Sequence, residues 1–153
     1  MRVLTLALGL LLPNPGVLVP GKSLGGVSLG MTHAQVRAHW GDSFGHCRGC
    51  AQETWYFNYN AFHPEGAAVR FAKGRVDAVW TLWQPAGWRT TSGLLLDVPA
   101  AEINVHYGTL VTITCGSVQA LIRTKGRVTS VFYVFNGKVW GFGLTRPGVI
   151  PCH

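Results

Sequence analysis

Acidic side chains are scarce in this chain. Six Asp and Glu stand against thirteen Lys and Arg in 153 residues, a formal net charge of +7. Carboxylates this scarce leave little from which to build a paired-carboxylate acid–base centre. Charged residues of both signs reach only 12%, about half the usual quarter, so uncharged polar side chains must keep the surface wet. No apolar run approaches the ~20 residues of a membrane-spanning helix; Val3 to Leu12 is the longest of note. What is present is bulk. A hydrophobic share of 48% and an aromatic share of 11% exclude disorder, while twenty Gly and eight Pro favour short strands joined by turns.

The apolar run follows Met1-Arg2 and ends at Pro13-Asn14-Pro15-Gly16. That layout predicts a secretory leader over residues 1–20; the other reading is an apolar strand belonging to the fold. Four cysteines, Cys47, Cys50, Cys115 and Cys152, fit two disulfides of an exported chain, with three connectivities open. Cys47–Cys50 with Cys115–Cys152 is preferred, because it ties down the tail, residues 149–153. The expected location is secreted, periplasmic or cell envelope.

Two blocks recur. Gly26 to Gly41 matches Gly93 to Gly108 at Gly26/Gly93, Leu29/Leu96, Ala34/Ala101, His39/His106 and Gly41/Gly108. Lys-Gly-Arg-Val stands at 73–76 and again at 125–128. In the first block Thr32 is a helix N-cap and Gly41 an end signal; in the second, Pro99 suits the first helical position and Gly108 ends the helix. Lys73-Gly74 and Asn136-Gly137 are hairpin turns. Around the first, Arg70 faces Asp77 as a cross-strand ion pair, and Val69, Phe71, Val76, Ala78, Trp80 and Leu82 share one face. The expected fold class is α+β: two tandem units, residues 22–88 and 89–148, each a short helical segment with its own antiparallel sheet of three to four strands. Residues 84–92 serve as linker.

The string Gly25-Gly26-Val27-x-Leu29-Gly30-Met31-Thr32-x-x-Gln35-Val36, with Trp40-Gly41 and the later Lys73-Gly74-Arg75-Val76, resembles the SmpA/OmlA repeat of small bacterial outer-membrane lipoproteins. In tandem it resembles the β-lactamase inhibitory protein-like fold. The resemblance implies non-catalytic, extracytoplasmic protein recognition. The lipid-bearing Cys of the lipoprotein branch is absent, and the second copy departs from the pattern at Asp97-Val98-Pro99.

Other motifs compete with that reading. Gly16-x-x-x-x-Gly21-Lys22-Ser23 fits the phosphate-loop pattern, with Leu94 to Asp97 as a magnesium strand, but Gly25-Gly26 is a poor helix start and Pro20 removes an amide donor. His46-Cys47-Arg48-Gly49-Cys50 could be a redox pair or half a zinc site, and His63 lies at a finger-like distance without a fourth ligand. His39 and His106, at equivalent positions, read as packing residues. No catalytic grouping and no cofactor are expected.

The function expected is an exported protein-binding module, inhibitor-like or envelope-associated. Its alternatives are a basic module for polyanions without sequence-specific nucleic-acid recognition, and more distantly a nucleotide-binding protein. The candidate surface gathers Lys73 and Arg75 with Arg123, Lys125 and Arg127, from two hairpin tips on one edge, around an aromatic centre of Trp83 and Trp88, with Trp140 on the last hairpin. That combination suits a protein partner with an acidic surface.

Overall fold

The computed structural model describes residues 12–13, 16–60, 65–83 and 87–152. The elements run β1 (Val17–Val19), β2 (Ser23–Leu24), α1 (His33–Trp40), β3 (Gly45–His46), β4 (Glu53–Asn60), β5 (Glu65–Ala72) and β6 (Arg75–Leu82). They continue through β7 (Arg89–Thr90), α2 (Ala101–Tyr107), β8 (Val111–Cys115), β9 (Val118–Lys125), β10 (Val128–Phe135) and β11 (Lys138–Thr145).

Turn chemistry fixes the strands. Lys73-Gly74 and Asn136-Gly137 both adopt positive φ at each central residue (52° and 75°; 49° and 70°), the combination whose twist matches that of flanking strands. Thr32 opens α1 with a capping box: its hydroxyl accepts from the Gln35 amide, and Gln35 Oε1 accepts from the Thr32 amide at 2.9 Å. Pro99 does not open α2. The N-cap is Ala100, and Pro99 bridges to Lys138 instead.

The α+β class with two separate units is corrected by the structure. The helices hold only eight and seven residues, and the chain is mostly β. Eight strands form a single antiparallel sheet, ordered β3-β4-β5-β6-β11-β10-β9-β8, with a small second sheet ordered β2-β1-β7. The two sheets expected to stand apart are one because β6 and β11 pair from Ala78↔Thr145 to Leu82↔Gly141. That pairing removes two edges that would otherwise be left exposed. Gly141 permits the approach, since a Cβ there would collide with the Thr81 carbonyl oxygen.

The helices and the small sheet cover one side of the large sheet. Val36 and Trp40 of α1 and Ile103 of α2 pack there with Trp55, Phe57, Val69, Phe71, Val79, Phe132, Phe142 and Leu144. The other side, called the far side below, carries a second cluster of Ala68, Ala78, Trp80, Ala120, Val131 and Tyr133. Residues 146–152 reach it after β11. Tyr133 Oη donates to the Pro151 carbonyl at 2.8 Å, and Cys152 is bonded to Cys115.

Ala78, Trp80 and Leu82 were expected on one face with Val69, Phe71 and Val76. They lie on the opposite one. The register slips between Arg70 and Phe71, so Phe71 opposes Val76 while Arg70 opposes Ala78. Asp77 is the extra residue, and a one-residue bulge reverses the side on which all later side chains fall.

The N-terminal expectation also changes. Residues 1–11 lie outside the described residues. Val17–Val19, placed in the leader, is instead a strand pairing with β2 and β7, and Leu18 is fully buried. The folded part therefore begins before residue 20.

Candidate functional site

The strand register decides where the charged turns fall. Ala78 pairs with Thr145, and Thr145 with Thr129, so the β5–β6 and β9–β10 turns lie at the same end of the sheet. Three strand spacings separate the two hairpins, about 14 Å. The β1–β2 turn joins them: the Gly21 amide donates to Ser130 Oγ at 2.8 Å, and Gly21 lies beside the Lys125 stem. Arg146, whose amide donates to the Asp77 carbonyl, completes the group.

Lys22, Lys73, Arg75, Arg123, Lys125, Arg127 and Arg146 are all exposed at this end. None joins an ion pair found among the described residues, which are His33–Glu53, Arg37–Asp42, Arg70–Asp77 and Lys138–Asp97. Arg75 is held by the Gly30 carbonyl at 3.2 Å. A cluster of like charges without counter-ions raises a positive potential that attracts anionic surfaces. Sequence reasoning found four of these residues through the repeated Lys-Gly-Arg-Val and Arg123 through the hairpin tip that carries its second copy. Lys22 and Arg146 were missed, since nothing local to them signals the placement.

The aromatic residues do not join this end. Trp88 is fully buried against Trp40, and its Nε1 donates to the Pro13 carbonyl at 3.1 Å. It is a core residue, and its assignment to a partner surface is withdrawn. Trp83 and Trp140 stack at 4.2 Å with Phe135 against Trp140, all half-buried. They sit where Leu82 meets Gly141, about 23 Å along the strands from the basic turns at 3.3 Å per residue. An aromatic centre with a basic rim is therefore not formed.

The phosphate-loop string spans β1, a turn and β2, with the Lys22 amide donating to the Val19 carbonyl. No helix follows to present amides to a phosphate, and Asp97 pairs with Lys138 at 3.1 Å. All four cysteines are oxidised, Cys47 to Cys50 and Cys115 to Cys152. None is a thiolate ligand, and the Cys47–Cys50 turn leads into β4 rather than a helix. His63 lies outside the described residues.

His106 Nδ1 lies 2.7 Å from Ser92 Oγ, which also contacts Thr90 Oγ1 and Tyr107 Oη. Beside it is a 240 Å³ hollow lined by Gly93, Leu94, Val98, Glu102 and His106. The serine and imidazole are within proton-transfer reach, yet no acid orients the other ring nitrogen among the described residues. The cluster ties α2 to the loop after β7. His39 is exposed and lies against Gly26.

No family model matches the chain, and no curated protein matches it. Two solved structures share its fold. A DUF4309 family protein, YjgB, from Bacillus subtilis superposes with a TM-score of 0.52 at 12% identity, covering 75% of this chain and 78% of that one. An extracellular protein containing an SCP domain, from Bacillus anthracis, superposes with a TM-score of 0.53 at 10% identity, covering 78% of this chain and 44% of that one.

Proposed function

We propose that this chain is an exported, non-catalytic module that binds a protein partner of acidic surface through the basic end of its eight-stranded sheet. One observation carries the reading: seven exposed cations from four turns and strand ends converge there without a paired carboxylate. Two disulfides fit an oxidising compartment, one of the structural neighbours is itself extracellular, and the resemblance of residues 25–41 to an envelope repeat points the same way. Charge of this kind speeds encounter and sets partner sign more than it supplies affinity.

The test uses poly-L-glutamate and duplex DNA of arbitrary sequence as probes, with Arg75→Glu and Arg127→Glu combined in one variant. The expected result is glutamate-polymer binding that weakens with salt and is lost in the variant at unchanged melting temperature. Steeply salt-dependent binding to DNA in preference to the acidic polypeptide would favour a polyanion-binding role instead. Wild-type protein that binds neither probe overturns both.

A further inference from the structure

β8 is a terminal strand of the large sheet, and its sequence, Val-Thr-Ile-Thr-Cys, has strong strand propensity with no charge and no proline. Sheets usually blunt such edges with charge or proline, or keep the edge strand very short. The opposite edge is treated so: β3 has two residues, and beyond it lies the Cys47–Cys50 turn. Among the described residues no strand pairs with the outer edge of β8, and Val111 is 66% exposed.

The register says which groups are on offer. Cys115 pairs with Val118 around a two-residue turn, so that pair and every second one inward exchange the hydrogen bonds of the ladder. The amide groups of Thr112 and Thr114 are therefore the ones directed outward, and the Cys152 sulfur lies 4.0 Å from the Thr114 carbonyl oxygen. Thr112 is the free end.

The two faces beside that edge differ in chemistry. Ile113 and Ile122 point to the far side, where with Thr124, Thr129 and the Pro147–Pro151 segment they line a hollow of about 360 Å³. Ile150 stands 69% exposed at this hollow. Leu121 faces the helix side, so by alternation Arg123 and Lys125 do too. β8 stops at Val111, opposite Ile122, so both cations lie past its end on the helix side.

We infer that the outer edge of β8 takes an extended segment of the partner as an antiparallel ninth strand, its alternate residues aliphatic toward the far-side hollow and acidic toward Arg123 and Lys125. This deepens the proposed function and rests on it. Main-chain pairing would supply affinity, and the two faces would supply selection. In that register the residues opposite Thr112 and Thr114 are the acidic ones, so their amides, not those of the aliphatic residues, enter the ladder.

The probe is a short blocked peptide of alternating glutamate and valine, titrated calorimetrically against the full chain. It is expected to bind roughly tenfold or more tightly than all-glutamate peptide of equal length. Methylating the glutamate amide nitrogens should abolish that advantage, and methylating the valine amide nitrogens should not. Thr112→Pro, which deletes one outward donor from an edge position that tolerates proline, should reduce binding to the all-glutamate level. Equal binding of the two methylated peptides, or a Thr112→Pro protein that binds as before, overturns edge docking even while salt-sensitive poly-L-glutamate binding upholds the basic end. A dimer that Thr112→Pro dissociates also overturns it, because the edge would then belong to a second copy of this chain.

Discussion

Arg70 reaches Asp77 even though Asp77 is the bulged residue of β6. The partner directly across from Arg70 is Ala78, yet Nε and Nη2 of Arg70 meet Oδ1 and Oδ2 of Asp77 at 2.9 and 3.1 Å. Both side chains are mostly buried, 20% and 10% exposed. Removing one partner of such a pair strands a charge, whereas replacing both with apolar residues is often tolerated. Asp77→Ala is expected to cost about 3 kcal/mol in denaturant unfolding. The double variant Arg70→Met, Asp77→Val should lose clearly less. Equal losses would mean that the pair acts only as packing.

Trp88→Ala should be among the most damaging single changes, because the ring fills the space between Gly16, Gly25 and Trp40. A loss of about 3–5 kcal/mol is expected. Trp83→Ala, at a half-buried position, should cost under about 1.5 kcal/mol. Thermal melts of the two variants side by side check the ranking.

Burial pushes the Tyr133 hydroxyl well above its ordinary 10.0, with the Arg70 charge opposing in part. The folded chain then keeps a proton that the unfolded chain sheds above about pH 10, so this residue's contribution declines as pH climbs past that point. Tyr133→Phe loses the bond to the Pro151 carbonyl, about 1 kcal/mol at neutral pH. Its deficit against wild type should shrink in strong alkali. Urea midpoints at about pH 8 and about pH 11 test the sign.

The two disulfides should differ in weight. Cys115–Cys152 spans 37 residues and Cys47–Cys50 only three. Loop-closure entropy assigns the long bridge roughly 4 kcal/mol and the short one about 2. Serine pairs at each bridge, compared by urea denaturation, measure the difference.

Much of this was legible in the sequence, and the exceptions have physical causes. The N-cap at Thr32 and the glycine turns follow from local chemistry. The joining of β6 to β11 did not, because it depends on backbones meeting across sequence-distant strands, and the shared end of the basic hairpins depends on it in turn. The bulge at Asp77 was equally hidden, and it misplaced Ala78, Trp80 and Leu82 together. Trp88 was read as an interface ring because its neighbours looked like linker. Nothing in Gln-Pro-Ala-Gly announces that β7 returns to pair with β1.

Cys47 and Cys50 close a turn of their own, while Cys115 must wait for a partner on the far side of three more strands. A chain made from its N-terminus onward brings the first pair together as soon as it emerges. Once that pair is oxidised, Cys115 has one correct partner left and no sulfhydryl to mispair with. The order of the cysteines along the polypeptide should thereby act as a timetable, with the last bridge expected to form on a finished meander. Refolding the fully reduced protein in one step abolishes that order, and scrambled isomers should accumulate there that synthesis itself avoids.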